Sequence, residues 1–435
     1  MGAMSCADRW PRLLSPRRIG DDRADPGDGR SAFERDFDRI LFSTPFRRLH
    51  GKTQVVVRPG HDHVHTRLVH SLETASVGRS LGHLVGRLLV QRHGRKLRGF
   101  EPGDLGAVVA AACLMHDLGN PPFGHAGEEA IGGWFRRRFA ADPALAGALT
   151  TGERLDLERF EGNAQGFRIA TRLTMYRDQG GMRLSAAVLA AAAKYPQPST
   201  MAGQPGCLKK HGYHGDDFPA FAAVAEACTL AATGPGCWAR HPSAWLVEAA
   251  DDICYQVLDL EDAWRLGQVT FAEARRLLLP LCGGRDSTLR DEADRLGELR
   301  ARAIGHLVQA AVTAFLEHEE ALVAGDQGPA LVLRTPLAPA FRRLARFAAA
   351  RLYQHRDKQR AEVGGMSVLA GLLDRVVPAV LAERPDAVER RIRAVLDLAD
   401  PGATPYARLL AVCDRIAGMT DRHAVQTLDQ FTAPR

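Results

Sequence analysis

An all-α fold is the expectation for this chain of 435 residues, and three observations carry it. From Arg67 onward, nearly every periodic segment repeats its apolar residues at helical spacing. Gly, Pro or Asn/Asp breaks most junctions between these segments. The best strand candidate, Gln54-Val55-Val56-Val57, is short.

Residues 1–30 are polar and rich in Arg, Asp, Gly and Pro, and read as a mobile arm. Helical spacing begins at Phe33-Glu34-Arg35-Asp36-Phe37-Asp38-Arg39-Ile40-Leu41. Helices are then expected at roughly 67–92, 104–117, 127–139, 163–177, 183–193, 219–231, 243–265, 270–278, 287–324, 337–354, 366–383, 386–398 and 405–417. Segments 141–160 and 195–217 read as loops. The second holds Pro196, Pro198, Gly203, Pro205 and Gly206, and loops of such length are often functional or mobile. There is no internal repeat. The division that results is an arm over 1–30, a core over 31–280 and a C-terminal helical subdomain over 281–435 packed on that core.

Hydrophobic residues make up 46% of the chain and charged residues 25%, an ordinary balance with enough apolar material for a large core. The net charge of +6 favours anionic partners such as nucleotides, nucleic acid or acidic lipid, without choosing among them. None of the eight cysteines forms a CxxC pair, and several lie in apolar helical runs. A reduced, cytoplasmic protein without structural zinc is the expectation. No apolar stretch is read as long enough to span a bilayer, so no membrane partner is expected, and the N-terminus lacks the apolar core of a signal peptide.

His116-Asp117 is the most informative pair. It ends the apolar run from Ala107 to Met115 and precedes the Gly/Pro-rich stretch Leu118-Gly119-Asn120-Pro121-Pro122-Phe123-Gly124-His125. One nitrogen and one oxygen ligand for a divalent metal thus end a buried helix. Two more segments supply what the pair lacks. His70 opens a long helix, with Arg67 one turn earlier. Asp251, Tyr255 and Asp259 recur at i, i+4 and i+8, a polar stripe on an apolar helix that is costly unless satisfied. His70, His116, Asp117 and Asp251 would form a two-His, two-Asp site. Mixed N/O ligation suits a divalent metal, Mg or Mn ahead of Fe, Co, Ni or Zn, without specifying one. Each segment alone has a plainer reading: a favourably charged helix end, a surface histidine, a solvated helix. Their joint presence argues for a metal.

These residues, in this order, resemble the HD-domain metal phosphohydrolases, and more narrowly the deoxynucleoside triphosphate triphosphohydrolase (dGTPase) family. The strings that carry the resemblance cover most of the chain: Arg35-Asp36-Phe37-Asp38-Arg39-Ile40-Leu41-Phe42, Phe46-Arg47-Arg48-Leu49, Lys52-Thr53-Gln54-Val55, and Thr66-Arg67-Leu68-Val69-His70-Ser71. They continue with His116 to His125, Glu161-Gly162-Asn163-Ala164-Gln165, Lys194-Tyr195-Pro196, Glu248 to Tyr255, and Ile416-Ala417-Gly418-Met419-Thr420-Asp421-Arg422. The Pro-Pro-Phe-Gly-His and Glu-Gly-Asn-Ala-Gln strings are the specific ones.

The resemblance implies an HD-type helical phosphohydrolase fold and hydrolysis of dGTP or several deoxynucleoside triphosphates to deoxynucleoside and inorganic triphosphate. It implies His125 as the catalytic histidine beside the leaving 5′-oxygen, with Glu128 orienting it or raising its pKa. Arg67 would grip phosphate. Gln54 and Asp259 would bond the 3′-hydroxyl, Tyr255 would stack on the sugar and exclude a 2′-hydroxyl, and Asn163 would also face substrate. A homo-oligomer, often a hexamer, and an allosteric nucleotide or single-stranded DNA are further family properties. The chain departs from the family at His65, where Arg is usual before Thr66-Arg67, at His50 after Leu49, and at His423 before Ala424.

Two other readings compete. One is a different HD phosphohydrolase acting on nucleoside monophosphates or signalling nucleotides. The other is a nucleotide-sensing or single-stranded nucleic-acid-binding regulator with a vestigial site, motivated by Arg136-Arg137-Arg138 and Arg342-Arg343. Such runs are usually solvated faces, and 6% aromatic residues give no obvious stacking platform.

Overall fold

The computed structural model describes residues 5–21, 27, 29–54, 65–97, 99–398 and 404–432. Twenty α-helices and one small hairpin, Ala232–Gly234 with Cys237–Trp238, make up the regular structure among them. The all-α expectation therefore holds. The strand expected over residues 54–57 falls mostly outside the described residues.

Two long helices organise the first half. Arg67–His93 packs along Pro102–Met115, which is apolar all round and buried from Leu105 to Met115, apart from the half-buried Ala107. A helix with no polar face must be covered on every side. Ala32–Leu41, Ala186–Ala192 and Pro242–Arg265 supply that cover. Around these helices lies a hydrophobic cluster that runs from Trp10 through Leu105, Leu189 and Trp245 to Leu344 and Leu352. A second cluster joins Trp134, Phe135 and Phe160 to Leu369, Leu372, Val376, Leu409 and Ile416. Each cluster draws residues from both sides of residue 280.

Several elements escape the sequence pattern. Residues 1–30 do not read as helical, yet Cys6–Leu13 is a helix whose Trp10 and Leu13 are buried in the first cluster. Trp10 Nε1 donates to Glu319 Oε1 at 2.8 Å, and Glu319 also accepts from Arg92 at 2.7 Å and meets His93 at 2.7 Å. One apolar stripe of two turns is too short to register as a period, but it is long enough to dock. Segment 141–160, expected as a loop, holds Pro143–Gly147 and Thr151–Glu158. Asp142 caps the first, and the Thr150–Glu153 capping box starts the second. The 287–324 helix is broken at His318 into Glu292–Glu317 and Glu319–Ala324. The 163–177 helix ends early, Gly162–Arg168 widening into a π turn over Ile169–Leu173. Asp421–Thr432 is an additional helix.

The expectation of no membrane-length apolar stretch needs correction. Lys358–Leu381, within the Arg356–Leu381 helix, is long and apolar enough to cross a bilayer. Its Leu369, Leu372, Leu373, Val376, Val377 and Val380 are fully buried in the second cluster, against His125–Ala141 and Pro405–Ala417. Its apolarity therefore matches a protein core.

Because Trp10 is fully buried and bonded, Trp10→Ala should lower unfolding free energy by about 3–5 kcal/mol in urea denaturation. An unattached arm would show no change.

Candidate metal and nucleotide site

The two organising helices bring the site's ends together. Thr66 caps the Arg67–His93 helix, so Arg67 and His70 lie in its first turn, and both are buried. His116 follows Pro102–Met115, where its Nδ1 bonds the Cys113 carbonyl at 2.6 Å. That bond makes Nδ1 the protonated nitrogen and leaves the Nε2 lone pair facing inward. His116 Nε2 is buried and has no hydrogen-bond partner. Asp251 comes from the middle of Pro242–Arg265, its Oδ1 3.0 Å from His70 Nε2 and 3.7 Å from His116 Nε2.

His70, His116 and Asp251 therefore place three donor atoms within 4.8 Å of one another. Asp117 stands at the edge of this cluster. Its Oδ1 is 3.7 Å from His116 Nε2, yet it also accepts from Asn120 Nδ2, and its Oδ2 takes Arg67 at 2.9 Å. Burial opposes charge on both aspartates. The Asp117 pKa is nevertheless lowered, chiefly by Arg67, and that of Asp251 chiefly by the His70 bond. An orphaned imidazole lone pair between two carboxylates held as anions is a donor set that fits a divalent cation.

Gly119 and Gly124 shape the turn over this cluster. A Cβ on Gly119 would strike Gly162 O and Gly166 N, so the Gly/Pro turn and the Glu-Gly-Asn-Ala-Gln segment touch backbone to backbone. Gly124, at φ +59, occupies space that a Cβ would contest with the Arg67 guanidinium.

The other expected residues divide into two groups. In the first group, Asp259 is buried and accepts from Tyr353 at 2.9 Å, while Tyr255 stacks on Tyr353 at 5.3 Å and meets His70 edge-on at 6.3 Å. Burial raises the Asp259 pKa well above the ordinary range. Gln54 is half-buried, its Oε1 unpartnered, and no hydrogen bond joins it to Asp259. In the second group, His125 begins the His125–Ala141 helix and opens to solvent. Partial burial and the charges of Lys210 and Arg67 lower its pKa.

The expected His125–Glu128 contact is not formed. Glu128 Oε1 instead accepts from the Gly162 backbone N–H at 2.8 Å, and its Oε2 lies 3.6 Å from Lys210. The unpaired N–H groups at a neighbouring helix start attract this carboxylate more strongly than a half-solvated imidazole does. Asn163 donates to Glu161 Oε1 at 2.6 Å, and Glu161, rather than Asn163, caps that helix.

Sequence reasoning missed Tyr353, Lys210, Glu161 and Lys52. Lys210 lies in the 195–217 loop and meets Glu161 Oε2 at 2.8 Å. Lys52 is buried, donating to Asn120 O at 2.6 Å and Ala417 O at 2.8 Å. Its pKa falls to about 7, through burial and then the Arg67 charge. Glu161 and Lys52 stood in the quoted strings and could have been singled out there. Tyr353 and Lys210 carried no local signal. The arginine runs 136–138 and 342–343 are largely exposed, as solvated faces would be.

His65 behaves unlike an ordinary histidine. It meets Asp262 at 2.5 Å and Glu73 at 3.2 Å, and these bonds push its pKa up to about 10. It therefore remains a cation at neutral pH, as the usual Arg would.

Comparison with known proteins gives the class to which this chain belongs, the HD-domain hydrolases. The HD domain matches residues 67–157, and the phosphohydrolase-associated domain matches residues 331–430. A "deoxyguanosinetriphosphate triphosphohydrolase-like protein" of Synechocystis sp. is 38% identical, over 97% of this chain and 98% of its own length. One from Pseudomonas aeruginosa is 40% identical with the same coverage. A "deoxyguanosinetriphosphate triphosphohydrolase" of Klebsiella pneumoniae is 33% identical over 84% of this chain and 80% of its own length. The chain belongs to the deoxyguanosinetriphosphate triphosphohydrolase-like family of HD-domain enzymes and is a hydrolase.

Two outcomes test this geometry. The His65 pKa lies above the ordinary 6.5, so its stabilisation is full below about pH 6.5 and fades as pH rises through about 10. The melting-temperature gap between wild type and His65→Gln should shrink steadily across that window. Gly119→Ala should cost roughly 2 kcal/mol or more in urea denaturation, while Gly103→Ala, with open space around it, should change little.

Proposed function

We propose that the enzyme hydrolyses deoxynucleoside triphosphates, dGTP or several of them, to deoxynucleoside and inorganic triphosphate. The observation that carries this reading is the His70, His116 and Asp251 cluster, flanked by Arg67 and Asp117 on one side and by the Tyr255, Asp259 and Tyr353 group on the other. On this reading an ion would sit near a cation able to grip phosphate and near a largely buried polar group able to meet the sugar.

His70, His116, Asp117 and Asp251 would hold a divalent cation, Mg or Mn by preference. A bound cation there supplies Lewis acidity and lowers the pKa of a water molecule. Arg67 Nε is buried without a partner, so it can donate to a phosphate oxygen while its NH1 keeps Asp117. His125 stands at the mouth, where its lowered pKa keeps it neutral in the free enzyme. An arriving triphosphate offsets the Lys210 and Arg67 charges that depress it, so His125 takes up a proton as substrate binds. That proton then passes to the departing 5′-oxygen. Glu128 acts from a distance, by holding Lys210 and the Gly162 backbone.

Asp259 and Gln54 supply hydrogen bonds to the 3′-hydroxyl. The Tyr255–Tyr353 stack lies where a 2′-hydroxyl would go unpartnered, which disfavours ribonucleotides. Asn163, tied to Glu161, borders the same space. A cytoplasmic homo-oligomer fits this reading.

The test is incubation of the enzyme with each deoxynucleoside triphosphate and several divalent metals, with products separated by chromatography. Triphosphate and deoxynucleoside are expected. Orthophosphate or pyrophosphate would indicate a different phosphohydrolase, and salt-sensitive binding without turnover a nucleic-acid-binding regulator. Asp117→Ala should abolish turnover and reduce metal content. His125→Ala should retain metal and lose about 10²–10⁴-fold in rate.

A further inference from the structure

A second cluster of metal-ligating side chains lies away from the first and has no part in the chemistry above. Asp156, from Thr151–Glu158, meets His211 and His214 of the 195–217 loop, with their donor atoms within 4.8 Å of one another. All three residues are buried, His211 and His214 almost completely. The imidazole rings sit 5.9 Å apart, one edge towards the other.

Three ring nitrogens here, His211 Nε2 and both nitrogens of His214, are buried with no hydrogen-bond partner. Leaving such groups unsatisfied costs on the order of 1–3 kcal/mol each. Asp156 is held differently. Its Oδ2 accepts from the Gly215 backbone N–H at 2.8 Å and from Tyr406 Oη at 2.6 Å, which orients the carboxylate and leaves Oδ1 its lone pairs. A ligand fixed by hydrogen bonds of this kind is the usual support of a metal site.

We propose that Asp156, His211 and His214 form a second cation site, closed to solvent, that takes zinc and pins the 195–217 loop to the helical body. Two imidazoles and one carboxylate favour zinc over magnesium or calcium, which prefer oxygen donors. Both rings are almost fully buried and present ring nitrogens without a hydrogen-bond partner, the lone pairs an ion would take. The enclosure suits a structural role.

The consequence reaches the first site. Lys210, which directly precedes His211, holds Glu161 at 2.8 Å and Glu128 at 3.6 Å. Gln197 laces the same loop through Leu208 O and Lys210 O, both at 2.8 Å. An ion on His211 and His214 would fix the loop one residue from that lysine. Tyr406 adds the Pro405–Ala417 helix to the tie. The inference stands independently of the reaction assigned to the first cluster.

The full-length His70→Ala/His116→Ala variant removes both imidazoles of the first cluster and leaves the second intact. It is loaded with zinc chloride and desalted, and its zinc is counted by plasma mass spectrometry. One zinc per chain is expected, with an absorption-edge spectrum showing imidazole in the zinc shell. Adding His214→Ala should remove that zinc. A double variant that holds no zinc, a zinc shell of oxygen alone, or a triple variant that keeps its zinc would each overturn the proposal. The absorption spectrum needs no third substitution, so a triple variant that fails to fold leaves the test intact. Turnover enters none of these readouts, so a wrong substrate assignment cannot be mistaken for a wrong zinc site.

Discussion

Everything at the ion cluster depends on keeping two carboxylates ionised, one buried and one half-buried. Asp117 and Asp251 are each disfavoured as anions by burial and restored by neighbours. Arg67 restores the first at 2.9 Å and His70 the second at 3.0 Å. Both of these neighbours lie in the first turn of one helix, and Asp117 lies just past the end of another. The packing of those two helices sets the Arg67–Asp117 pair, and the packing of Pro242–Arg265 on the first of them sets the His70–Asp251 pair. A shift between them would separate charge from countercharge in a medium where that separation is expensive.

A second layer fixes the turn above. Gly119 lies against the backbone of Gly162 and Gly166, and Lys52 grips Asn120 O from below. Asp421 accepts from the Phe123 backbone at 2.9 Å and from Thr53 at 2.8 Å. The residues after the Pro405–Ala417 helix thus hold the Gly/Pro turn as closely as its sequence neighbours do. This accounts for the Ile416-to-Arg422 string lying so far along the chain: it closes the turn and supplies no donor to the ion cluster.

Glu128, Glu161 and Lys210 form an ion-paired group near His125, with no direct hydrogen bond between Glu128 and His125. Burial raises the pKa of both glutamates, and Lys210 works against that rise. Lys210 also lowers the His125 pKa through space. The loop that carries Lys210 thereby adds to the lowering of a histidine pKa that burial begins, although the two lie far apart in sequence.

Local pattern was enough to determine the helices that matter. Apolar spacing and Gly, Pro or Asn/Asp junctions placed Arg67–His93 and Pro242–Arg265 within a few residues, and an unbroken apolar run placed Pro102–Met115. The polar stripe Asp251, Tyr255, Asp259 was legible from the same helical spacing. Short docking elements such as Cys6–Leu13 and Thr151–Glu158 were not, since two turns carry too little period to stand out. Only the tertiary structure decided that Tyr353 meets Asp259, that Glu128 turns to Gly162, and that His211 and His214 face Asp156. Those pairings join residues 34 to 94 positions apart, and spacing within a segment holds no record of what a distant segment brings to it.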